Sequence, residues 1–95
     1  MKISQNPFGK DDKIEFPVNF DLKVIMITQP DAQISIAELE SVLVALAIPY
    51  ENWRYKASGK GTYTSFTVNI DVVSQKILST LYENLRSVPN VKMAL

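Results

Sequence analysis

The side chains available for chemistry in this sequence are amines, guanidinium groups, carboxylates, hydroxyls and phenols, because it contains no histidine and no cysteine. The commonest general base, the commonest metal ligand and the thiolate nucleophile are therefore all missing. Two groupings remain. Ser58-Gly59-Lys60-Gly61 sets a lysine between glycines, a spacing in which backbone N–H groups and one charge can face an anion. It lacks the four-residue interval of a phosphate-binding P-loop, and glycines in a tight hairpin turn need no other explanation. The second grouping appears only when the chain is folded into strands. Lys23, Arg54, Lys56 and Lys92 then share one sheet face with Ser65, Thr67 and Asn69, and with Ile25 and Ile27. Cations above hydroxyls and amides suit an acidic ligand or the acidic strip of a protein.

The elements that position these residues follow from periodicity. Phe20, Leu22, Val24 and Met26 alternate with Asp21, Lys23, Ile25 and Ile27, which predicts a central strand. Ser35 and Glu38 have capping-box spacing, with Ile34 and Leu39 at the staple positions, and Ile36, Leu39, Val42, Leu43 and Leu46 make one helical stripe. Pro49 sets the end of that helix. Trp53, Tyr55 and Ala57 alternate with Asn52, Arg54 and Lys56 in a second strand, and the glycine-containing hairpin leads into a third. There Phe66, Val68, Ile70 and Val72 face inward, while Tyr63, Ser65, Thr67, Asn69 and Asp71 face away. Ser74 caps a second helix with Ile77, Leu78, Leu81, Tyr82 and Leu85 inside, and Val91, Met93 and Leu95 alternate in a last strand.

The order β-α-β-β-α-β, with adjacent hairpin pairing and right-handed crossovers, gives an α+β ferredoxin-like sandwich: two helices on one face of a four-stranded antiparallel sheet. Residues 1–13 mix polar residues with Pro7 and Gly9 and read as a flexible tail; residues 14–95 form the single domain. A chain of 95 residues holds one core. Ten basic and ten acidic residues cancel, so no global field draws it to nucleic acid or an anionic membrane. Neither a secretory leader nor a membrane span is evident, and a cytoplasmic location is expected.

Glu15-Phe16-Pro17, Lys23-Val24, the run Ser58 to Ser65, Leu81-Tyr82-Glu83 and the ending Val91-Lys92-Met93-Ala94-Leu95 resemble the YbeD-like family of small bacterial proteins of unassigned function. The resemblance covers residues 14–95. It implies the ferredoxin-like fold and a relation to ACT regulatory domains, and no established reaction. One departure bears on ligand sensing: ACT ligand loops carry glycine between the first strand and first helix, whereas Thr28 to Ile34 contains none.

RNA recognition of the kind this topology supports elsewhere needs aromatics on the third strand, and Thr62, Ser65 and Thr67 occupy those places. With no histidine or cysteine, and with Asp21 and Asp71 read as solvent-facing strand ends, no catalytic constellation or cofactor site emerges. The expectation is a non-enzymatic regulatory or protein-interaction module that uses its open sheet face, through a protein partner or self-association. An ACT-like sensor of a small anionic metabolite is the alternative.

Overall fold

The computed structural model describes residues 2–3 and 15–95, so the expected flexible tail lies outside the described residues except at Lys2–Ile3. The elements are β1 (Lys2–Ile3), β2 (Val18–Ile27), α1 (Ala32–Ala45), β3 (Tyr50–Ala57), β4 (Tyr63–Val72), α2 (Gln75–Arg86) and β5 (Val91–Ala94). From Val18 onward they give the β-α-β-β-α-β order of the ferredoxin-like sandwich. The sheet order is β1-β5-β2-β4-β3, with the two apolar strands β2 and β4 at its centre. All pairings are antiparallel except the two-residue addition of β1 to β5, which is parallel.

β2 and β4 pair without interruption from Val18 opposite Val72 to Ile27 opposite Tyr63. Because side chains alternate, this register places Leu22, Val24, Met26, Phe66, Val68, Ile70 and Val72 on one face, all buried. Ile36, Leu39 and Leu43 of α1 and Leu78, Leu81, Tyr82 and Leu85 of α2 close over that face. Among the described residues no helix covers the opposite face.

Helix α1 begins a turn earlier than the capping-box reading. Asp31 is its N-cap and accepts from the Gln33 backbone N–H at 2.9 Å. Ser35 lies inside the helix and is buried, and Ile34 is 49% exposed rather than stapled. The reason is local: Asp31 directly after Pro30 caps as well as serine does and stands nearer the strand end. At the other end, the Ile48 N–H reaches the Leu43 carbonyl at 2.9 Å and the Ala47 N–H reaches the Val44 carbonyl at 3.0 Å. This is a Schellman termination, and its left-handed position is held by Ala47 at φ 54° where glycine is the usual occupant. Helix α2 is capped as expected, with Ser74 Oγ accepting from the Ile77 N–H at 3.2 Å.

Two bulges separate the strands from simple alternation. Three steps on β3 from Glu51 to Arg54 oppose two on β4 from Asn69 to Thr67, with Asn52 in the left-handed region at φ 62°. The added residue turns Arg54 and Lys56 outward beside Thr67 and Ser65, as the strand reading requires, and sets Tyr55 opposite Phe66. The Tyr50 hydroxyl donates to Glu40 at 2.9 Å and ties this edge strand to α1. On β5 the register shifts between Val91 opposite Met26 and Met93 opposite Ile25. Lys92 is the extra residue. The expected alternation of Val91, Met93 and Leu95 on one side is thereby broken: Val91 and Ala94 are buried. Met93 turns to the uncovered face. Leu95 exchanges both backbone hydrogen bonds with Lys23, at 2.8 and 3.1 Å, which places it there too.

The Tyr82 hydroxyl is buried with no hydrogen-bond partner among the described residues, and burial pushes its pKa up to about 12. Removing an unsatisfied buried hydroxyl removes its desolvation cost. Tyr82→Phe is therefore expected to match or exceed the wild type in urea midpoint, and a lower midpoint would show that the hydroxyl has a partner. Ala47→Gly relieves the left-handed alanine and is expected to stabilise the fold by about 1 kcal/mol in the same assay; unchanged or reduced stability would contradict the termination described.

Candidate functional site

The uncovered face is built from the outward residues of four strands, arranged in rows by the register. Asn19 stands beside Asp71, and Asp21 beside Asn69 and Glu51. The next row is Leu95, Lys23, Thr67 and Arg54, and after it come Met93, Ile25, Ser65 and Lys56. Ile27 and Tyr63 complete the series. Rows are ~7 Å apart along the strands.

The first two rows form a closed polar network. Asn19 Nδ2 donates to Asn69 Oδ1 at 2.7 Å and to Asp71 Oδ1 at 2.8 Å. Asn69 Nδ2 donates back to Asn19 Oδ1 and to Asp21 Oδ1, each at 3.0 Å. Arg54 completes it with an ion pair to Asp21 Oδ2 at 3.0 Å. The Asn69 hydrogen bond, then that from Arg54, holds the Asp21 carboxyl below its ordinary value of 3.8. Asp21 is thus a mid-strand residue with bound partners and not the free strand end expected from the sequence. Two residues of the expected binding strip take part in this network: Asn69 donates twice from its amide nitrogen and Arg54 once from its guanidinium.

The other end of the face is different. An open hollow of about 420 Å³ is lined by Lys23, Ile25, Lys56, Ala57, Ser58, Gly59, Tyr63 and Ser65. It joins the two groupings singled out in the sequence, because the start of the hairpin lies against the strip. Among the described residues Arg54–Asp21 is the one ion pair, so neither Lys23 nor Lys56 has a carboxylate partner. Beside the hollow, Ile27, Tyr63 and Leu95 are 36, 40 and 44% exposed.

Other expected residues fall elsewhere. Thr67 sits in the row between the two ends, and Lys92 is the bulged residue of β5, so Met93 and not Lys92 stands beside Ile25. Lys60 is at the tip of a turn closed by the Gly61 N–H to the Ser58 carbonyl at 2.9 Å. Gly61 adopts φ 71°, which the turn itself requires; a Cβ at Gly59 would meet open space. Neither Lys60 nor Gly61 lines the hollow. The sequence places Tyr63 on the outward side but leaves it out of the binding strip, whereas Met93 and Leu95 reach the surface through a bulge with no sequence mark.

Comparison with known proteins follows this geometry. The family described as protein of unknown function, DUF493, matches residues 11–95. The chain belongs to that family. A UPF0250 protein of Shewanella amazonensis is 34% identical over 86 residues, which span 90% of this chain and 93% of the relative. Another, from Neisseria gonorrhoeae, is 34% identical over 90 residues, 92% of this chain and 94% of the relative. The solution structure of HP0495 from H. pylori superposes with a TM-score of 0.70 at 20% identity, covering 95% of this chain and 93% of that one. The C-terminal domain of the MgtC protein from Mycobacterium tuberculosis gives 0.64 at 18%, covering 88% and 89%. These structural likenesses establish the fold.

The lowered Asp21 carboxyl makes a pH prediction. A group whose folded pKa is depressed stabilises the fold above its unfolded value and loses that contribution as pH falls through the folded value. The stability difference between wild type and Asp21→Asn is expected to be full above about pH 4 and to shrink on acidification. A carboxyl-carbon NMR titration should place Asp21 below 3.8; a midpoint at or above that value would show that the network does not hold it.

Proposed function

We propose that this chain is a non-catalytic regulatory module that binds another protein through the uncovered face of its sheet, at the end where the hollow lies. The observation that carries this reading is the apolar surface on the central and C-terminal strands, Ile25, Ile27, Tyr63, Met93 and Leu95, set beside two unpaired lysines. Folding needs the opposite face of β2 and β4 to be apolar; it gives no reason for isoleucines on this one. At the other end Asn19, Asp21, Arg54, Asn69 and Asp71 are bonded to one another, so that end offers a partner less.

Catalysis draws no support from the same residues. Asp21 is held ionised by Asn69 and Arg54, the reverse of the raised carboxyl that proton transfer near neutrality requires. The loop from Thr28 to Pro30 between β2 and α1 is short and lacks glycine, which weighs against an ACT-type ligand loop. No helix among the described residues is long and apolar enough to cross a membrane.

We read the occupant as a different protein because a second copy brings two more lysines to the same apolar end when the two hollows meet, whereas an acidic partner neutralises them.

A photocrosslinking phenylalanine placed at Lys56, with Lys76 on α2 as the control position, tests this in the native cells. Discrete adducts to another polypeptide are expected from position 56 and not from 76. No adduct from 56, the same adducts from both positions, or only a product of twice the chain mass would contradict the reading.

A further inference from the structure

The hollow carries information about the chemistry of what fills it, and this step rests on the binding surface just proposed. Its apolar lining comes from Ile25, Ala57 and Tyr63, and its two lysines come from different strands. Lys23 precedes Ile25 by two residues on β2, so its Cα lies ~7 Å along the strand from the apolar floor. Lys56 pairs with Ser65, which in turn pairs with Ile25, so it lies ~10 Å across two strand spacings from that isoleucine. The anionic side chains of the face, Asp21, Glu51 and Asp71, stand in its first two rows; Asp21 is one row, ~7 Å, from Lys23 but is committed to Asn69 and Arg54.

The face is therefore sorted by charge as well as by polarity, although the whole chain is neutral. Arg54 has its carboxylate; Lys23 and Lys56 have none. A small anion alone would use the amines and leave Ile25 and Tyr63 wet. A purely apolar partner would cover the isoleucines and strand two ammonium groups beside a dry surface, which costs more than leaving them in water. An occupant with an apolar side chain between two carboxylates satisfies both demands.

We infer that the hollow between Lys23 and Lys56 receives an extended acidic segment of a protein partner, with one apolar side chain seated on Ile25 and Tyr63 and flanking carboxylates on the two lysines. In an extended chain, residues two apart lie on the same side at ~7 Å, so the two acids of the pattern acidic-x-apolar-x-acidic are ~14 Å apart, within side-chain reach of lysines whose Cα atoms lie ~12 Å apart on the diagonal from Lys23 to Lys56. The lysines select the sign of charge and the apolar floor supplies most of the contact.

The probes are three capped peptides, Glu-Ser-Leu-Ser-Glu, Lys-Ser-Leu-Ser-Lys and Glu-Ser-Ser-Ser-Glu, followed by amide NMR shifts of the full chain, with acetate and inorganic phosphate as further arms. The first peptide is expected to shift Ile25, Lys56, Gly59 and Ser65, and the other two to bind it more weakly. Lys23→Glu/Lys56→Glu should lower affinity for the first peptide roughly tenfold and reverse the preference toward the second. Lys23→Gln/Lys56→Gln, a milder change, should abolish the preference for charge while the spectrum stays folded.

Equal binding of all three peptides, no shift at millimolar concentration, or the same shifts from acetate or phosphate would overturn the inference. Crosslinks from position 56 combined with any of those results would leave the protein-binding reading intact and remove only the acidic-apolar occupant. Absence of crosslinks would remove the reading beneath it.

Discussion

The uninterrupted antiparallel pairing of β2 with β4 is the constraint on which the rest of the structure depends. From Val18 opposite Val72 to Ile27 opposite Tyr63 it fixes which side of each residue meets the helices. A slip of one residue of β2 against β4 would send Leu22, Val24 and Met26 to the open face and bring Asp21 and Lys23 into the core. The helices respond to that register. Leu39 and Leu43 of α1 and Leu78, Leu81 and Tyr82 of α2 are buried because the two central strands present a continuous apolar surface to them.

The same pairing composes the open face, and here the outcome is not uniform. At one end, Asn19, Asp21, Asn69 and Asp71 stand close enough to satisfy one another, and the β3 bulge delivers Arg54 to close the set. The Arg54–Asp21 pair is exposed on both sides and adds little to stability. Its effect is to remove the guanidinium from the supply of free cations. At the other end, Lys23 and Lys56 are left without partners around an apolar hollow, and the β5 bulge adds Met93 and Leu95 to the isoleucines. A single sheet face is thus divided into a self-satisfied half and an unsatisfied half.

Much of this was legible in the sequence because β2 and β4 alternate strictly and each outward or inward assignment follows from parity. The inward core of both central strands and the outward Lys23 come from that regularity, Lys56 from the separate alternation of β3 after its bulge, and the Ser74 cap from the helical pattern that follows it. What parity cannot register is a single inserted residue. Lys92 was expected on the face and Met93 inside the alternation of Val91 and Leu95, but a bulge exchanges their places without any glycine or proline to mark it. The helix start was misplaced for a related reason: Ser35 and Glu38 satisfy a local pattern, yet Asp31 competes for the same role four residues earlier and wins because the strand ends there. Arg54 and Asp21 are separated by 33 residues, and their pairing belongs to the register rather than to any motif.

The central claim is that the lysine-flanked apolar end of the open face is where this chain meets a partner. Methyl NMR of isoleucine-labelled protein in concentrated native lysate tests it most directly. Ile25 and Ile27 report on that end, and Ile34, 49% exposed on α1, reports on the helical side. The account predicts that the Ile25 and Ile27 methyl signals broaden while Ile34 stays sharp. Selective broadening of Ile34, or equal behaviour of all three, would contradict it.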